Sequence, residues 1–136
     1  MDRTIVHFEI PANNPDKLSA FYRDLFGWKI EKMQFKDPTG KSMDYWMIET
    51  RAGTAGNMEK AMTTAGVNGG MMRKMMPTQQ VTNYVMVESV DDFCKKAEKL
   101  GAKVIIPKTP LPDMGAFAVA IDPDGNPFGL FESSSQ

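Results

Sequence analysis

The chain has 136 residues, 42% of them hydrophobic and 24% charged, with a formal net charge of −1. That length suits one ordinary domain with a real core, or two small halves fused into one. The near-neutral charge gives no electrostatic footprint for nucleic acid or a membrane surface, and no apolar run approaches the ~20 residues needed to span a bilayer.

From the N-terminus, MDRTIVHFEI enters a strand directly, with no cationic start followed by an apolar stretch. Val6, Phe8 and Ile10 alternate with Ile5, His7 and Glu9, so one strand face is apolar and the other more polar. Asn14 is a good N-cap, Pro15 suits the first helical position and Asp16 favours the first turn. Leu18, Phe21, Tyr22, Leu25 and Phe26 recur at helical spacing, and Gly27 supplies the left-handed stop. Residues 28–35 read as a strand, 37–40 as a turn and 42–50 as an aromatic strand. Residues 57–64 fit a short helix, 66–72 a fourth strand weakened by its glycines, and 77–80 a linker.

The second half opens with a strand over 81–87. Ser89 is an N-cap, and Phe93, Ala97 and Leu100 share the predicted buried face of a helix. Residues 103–106 read as a strand and 107–114 as a loop with three prolines. Residues 115–121 alternate, 122–126 form a tight turn, and 128–132 close as a strand. The lone Cys94 excludes an internal disulfide and fits a reducing, cytoplasmic compartment. Aligning Gly27 with Gly101 pairs Phe26 with Leu100 and Ile30 with Val104, and a short gap then pairs His7 with Tyr84. The chain therefore reads as an internal duplication, each half β-α-β-β-β, in an α+β domain over 1–136 with modules 1–76 and 77–136.

The paired modules, the stretch FYRDLFGW and the tail DPDGNPFGLFE resemble the vicinal oxygen chelate superfamily, which includes glyoxalase I, bleomycin-resistance proteins and extradiol dioxygenases. The resemblance implies curved mixed sheets around a cup with the helices outside, and a homodimer. In metal-dependent members a His on the first strand of a module and a Glu on its last strand hold a divalent metal, which acts as a Lewis acid. His7 occupies the first-strand position, and Glu49 in MIET is a plausible match for the first acidic ligand. In the second module the corresponding positions hold Tyr84 and Gly129, and Glu132 points to the other strand face. Two ligands out of four are too few for the usual site, so no cofactor is favoured and a divalent metal on His7 and Glu49 is the alternative.

The expected activity is therefore small-molecule binding in a cup lined by His7, Glu9, Tyr45, Met47, Tyr84, Met86 and Phe131. The alternative is a metal-dependent lyase, isomerase or dioxygenase in which His7 and Glu49 are catalytic. His7, the one histidine, reads either as a proton shuttle or as an imidazole hydrogen-bonded at a cavity wall. Glu9 reads as a base or as part of a solvated strand face. Tyr45 and Trp46 point to opposite faces, so one of the two belongs to a core or interface. Gly69 and Gly70 mark either close approach of a ligand or an irregular edge strand. Cys94 reads as a small buried hydrophobe.

Overall fold

A computed structural model describes residues 2–37, 39–51 and 66–134. The predicted helix at 57–64 lies outside them. Among the described residues, eight strands and two helices follow one another as β1 (Ile5–Ala12), α1 (Pro15–Phe26), β2 (Lys29–Lys36), β3 (Ser42–Glu49), β4 (Gly69–Arg73), β5 (Thr82–Met86), α2 (Val90–Lys99), β6 (Lys103–Leu111), β7 (Gly115–Ile121) and β8 (Pro127–Ser133). The chain divides into two compact units, Val6–Val81 and a second that joins the residues up to Ile5 to Thr82–Gln136. Each unit is one β-α-β-β-β module, and together they make an α+β fold. Strands run β2-β3-β4-β1 in the first unit and β6-β7-β8-β5 in the second, so the order is the same in both. In each the first and last strands pair in parallel and the others antiparallel, giving mixed sheets.

Both helices start where side chains satisfy the orphan amides. Asn14 Oδ1 accepts from Lys17 N, and Ser89 Oγ accepts from Asp92 N. Gly27 closes α1 at φ 71°. A further cap comes from β8, where Glu132 Oε1 accepts from the first amide of α2, Val90 N, at 2.9 Å.

In the Val6–Val81 unit the core is Ala12, Ile30, Trp46, Ile48 and Met71, with Phe8, Ile10, Leu18, Tyr22 and Trp28 packed around it. In the other unit it is Val87, Val90, Ala118 and Leu130, flanked by Val85, Phe93, Cys94 and Phe128.

Several expectations are corrected. The proline-rich stretch is strand: β6 continues through Pro107 and Pro110 to Leu111. It pairs only with β7 within its unit, and its register shifts twice, so residues lacking an N–H cost the ladder little. Leu100 is the C-cap of α2 and 71% exposed, outside the buried face. Gly69 and Gly70 lie in β4 between β3 and β1, and so in the interior of their unit's sheet.

Candidate functional site

The glycine pair in β4 builds the site. Successive residues of a strand face opposite sides, so Gly69 meets the ring of Phe8 on the core side and Gly70 meets Tyr45 on the other. A Cβ at Gly70 would stand 1.8 Å from Tyr45 Oη, so Tyr45 lies over this strand only because position 70 has no side chain. Close approach does occur at these glycines, and the chain's own aromatics fill it. The register across β3, β4 and β1 is Met47, Gly70, Glu9. His7, Glu9, Tyr45 and Met47 therefore share the face away from α1, while Trp46 turns inward and is 1% exposed.

Reaching across Gly70, the Tyr45 hydroxyl donates to Glu9 Oε2 at 3.0 Å and lies 3.0 Å from His7 Nε2. The direction of the His7–Tyr45 hydrogen bond follows the imidazole tautomer: Nε2 donates to the phenol oxygen when it carries the hydrogen and accepts from the phenol when it does not. A metal on Nε2 would have to displace the Tyr45 hydroxyl from it. Burial lowers the His7 pKa from 6.5 to about 4, so the imidazole is neutral at pH 7. Phe35 meets Tyr45 edge-on at 5.8 Å and backs the phenol from β2.

This imidazole makes stability pH-dependent. Between pH 6.5 and about 4 the unfolded chain binds a proton that the folded chain does not. The stabilisation is complete above pH 6.5 and is lost as pH falls through that window, by roughly 3 kcal/mol. Urea unfolding of the wild type and His7→Gln at pH 7 and pH 4.5 should show the wild type losing more. Equal losses in the two proteins would remove His7 from this account.

Glu49 is 9% exposed and sits at the end of β3, paired with Lys29 of β2. It is thus not on its module's last strand, where the resemblance puts an acidic ligand. That strand, β4, reads GGMMR and carries no acid.

In the second unit Tyr84, Met86 and Phe131 are 7%, 1% and 6% exposed. Tyr84 pairs with Gly129 and Met86 with Phe131, away from α2. The ring of Tyr84 covers Gly129, where a Cβ would lie 2.1 Å from Cδ2, and meets Phe117 edge-on at 6.3 Å. Each unit thus has a tyrosine laid over a last-strand glycine. Glu132 lies on the opposite face of β8 and serves as the helix cap. The Cys94 thiol is pushed up by burial and by Asp91 and Glu98, which fits an inert packing role.

Among the described residues, no three or more His, Cys, Asp or Glu side chains form a group that could hold a metal ion. No described helix is long and apolar enough to cross a membrane. Sequence reasoning missed Phe35, Met33 and the Glu132 cap. The first two share Tyr45's face only through the register Met33–Tyr45 and Phe35–Met43, which alternation within one strand cannot supply.

The model of the Glyoxalase/Bleomycin resistance protein/Dioxygenase superfamily matches residues 4–130. A protein of Mycobacterium bovis named "Putative glyoxylase CFP32" is 28% identical over 137 residues, covering 98% of this chain and 45% of that protein. The chain thus spans less than half the length of this relative. Among solved structures, the hypothetical protein BH1468 of Bacillus halodurans superimposes with a TM-score of 0.67 at 11% identity, covering 100% of this chain and 98% of that one. Methylmalonyl-CoA epimerase of Mycobacterium tuberculosis gives 0.63 at 11%, covering 96% and 87%. Likeness at this identity speaks for the fold alone.

Proposed function

The chain belongs to the Glyoxalase/Bleomycin resistance protein/Dioxygenase superfamily, and on that premise we propose that it binds a small organic molecule on the His7–Tyr45–Glu9 face, without a divalent metal. One observation carries this reading: the Tyr45 phenol, 3.0 Å from both His7 Nε2 and Glu9 Oε2, occupies the space above Gly70. A metal at His7 needs the Nε2 lone pair and carboxylates beside it. Here Nε2 is engaged by the Tyr45 hydroxyl, and position 70 has no side chain to offer. What the face does offer is a hydrogen-bonded relay of imidazole, phenol and carboxylate, beside the apolar wall of Met33, Phe35 and Met47. Such a relay can orient a polar ligand group by hydrogen bonding. The expected ligand has an apolar body and a hydrogen-bonding group.

Native mass spectrometry of protein purified without chelator tests this. The expected species is metal-free, and an organic adduct retained by the wild type should be lost in Tyr45→Phe, which keeps the ring and removes the relay. Gly70→Ala should act likewise, because its Cβ displaces the phenol tip. About one divalent metal per chain, removed by His7→Gln, would instead establish the glyoxalase-type reading, with His7 and Glu49 as ligands.

A further inference from the structure

Away from His7, the Val6–Val81 unit has two neighbouring surface concavities. One, of about 200 Å³, is lined by Met43, Asp44, Met72, Arg73, Lys74 and Met75. The other, of about 270 Å³, is lined by Asn13, Lys74, Met75, Met76 and Pro77. They share Lys74 and Met75, and neither includes His7, Glu9, Tyr45 or Met47. The first opens where β3 and β4 part: their pairing is Trp46–Met71, Met47–Gly70 and Ile48–Gly69, and does not continue to Met72 and Arg73.

The walls are held in place. Lys74 N donates to Ala12 O at 2.9 Å and carries the β1–β4 ladder one residue beyond β4. Gln79 braces the following turn: its Oε1 accepts from Met75 N at 2.8 Å, and its Nε2 donates to Met72 Sδ at 3.7 Å. Thioethers make the surface apolar yet adaptable, and they favour contact with aromatic rings. Met75 and Met76 are 72% and 59% exposed, more than core packing explains.

The charge there is uneven. Asp44 is answered by Lys32 at 3.7 Å and by Gln34 Nε2 at 3.2 Å. Among the described residues no carboxylate pairs with Arg73 or Lys74. The Arg73 guanidinium is instead set over the Trp46 ring, 5.8 Å from its centroid. Two cations thus stand beside a methionine-lined groove whose acid is already matched.

From this juxtaposition we infer that the groove at the end of β4 is a second binding site, which takes a small amphipathic anion: an aromatic or acyl body on Met43, Met72 and Met75, with its carboxylate toward Arg73 and Lys74. Met43 and Met72 lie further along the sheet face that carries Tyr45, but the site uses none of His7, Glu9, Tyr45 and Met47, so it can be tested separately from the His7 reading.

Methyl-labelled methionine NMR tests it directly, because the reporters are the proposed walls. At low salt, 1-naphthoate should shift the signals of Met43, Met72 and Met75. The neutral 1-naphthalenemethanol should bind roughly five- to tenfold more weakly, in line with one or two exposed ion pairs. The double variant Arg73→Gln, Lys74→Gln should bind the two ligands alike. Unchanged signals of buried Met71 and Met86 would show that the variant is folded. The inference is overturned if no signal moves, if the shifts fall on Met47 instead, or if the acid's preference survives the double substitution.

Discussion

Replacing Gly115 by alanine should destabilise the protein by about 4 kcal/mol, from backbone strain of about 1–3 kcal/mol and a steric term of similar size. Gly115 has φ 139°, a region that L side chains rarely adopt. Its Cβ would stand 1.8 Å from Glu132 O, 2.9 Å from Glu132 C and 3.0 Å from Ser134 N. All three are backbone atoms and cannot rotate away. Gly115 pairs with Ser133, and Ser134 N donates to Met114 O at 3.0 Å, so relieving the clash means opening this end of the β7–β8 ladder. The same shift would strain the neighbouring Glu132 cap on α2. For a chain of this size the melting temperature should fall by roughly 10–15 °C. Gly40→Ala is the control: its φ is 88° but a Cβ there meets nothing within 4 Å, so strain acts without the clash. Equal thermal shifts for the two variants, followed by circular dichroism, would show that the steric term is absent.

Trp46→Ala should cost about 3–5 kcal/mol, the usual range for deleting a large buried aromatic. Trp46 is 1% exposed and lies among Ala12, Ile30, Ile48 and Met71. Its Nε1 donates to Asp16 Oδ1 at 3.3 Å, tying β3 to the first turn of α1. Alanine removes both the packing and that tie and leaves a cavity that strands on either side cannot close. Trp46→Phe keeps most of the volume and should lose less than half as much. Tyr45, one residue away, faces the other side. Tyr45→Phe keeps the ring but removes the partner of His7 and Glu9, so in urea unfolding it should cost about 1–2 kcal/mol, less than Trp46→Ala. A midpoint for Trp46→Ala within experimental error of wild type would overturn this account of the core.

Short-range chemistry was readable in the chain itself. Asn14, Ser89 and Gly27 mark helix ends because each acts on backbone groups within a few residues. The alternation of Val6, Phe8 and Ile10 assigned the faces of β1, and alternation within β3 separated Tyr45 from Trp46. The site was only partly legible. His7, Glu9 and Tyr45 were each picked out, yet their connection needs β4 to lie between β3 and β1 with Gly70 at the crossing point. That is a matter of strand order and register, which periodicity does not encode. Glu49 lies in the strand read for it, at the end of β3, but the family pattern puts its acid on the module's last strand, and β4 lies some twenty residues further on. The prolines of β6 look like loop chemistry until the strand is known to pair with β7 alone. Likewise, the apolar spacing of α1 gave no warning that Phe21, Leu25 and Phe26 would be 54%, 58% and 56% exposed.

The tyrosine laid over Gly70 also constrains how this surface can change over generations. Any side chain gained at position 70 lands on the phenol, so that substitution is unfavourable while Tyr45 remains. If Tyr45 first gives way to a small residue, the same substitution no longer meets the phenol. The two changes are therefore accessible in one order and resisted in the other. Gly129 and Tyr84 repeat the condition in the second unit, so a lineage carrying this chain holds two such one-way steps between its present surface and one with side chains at both glycines.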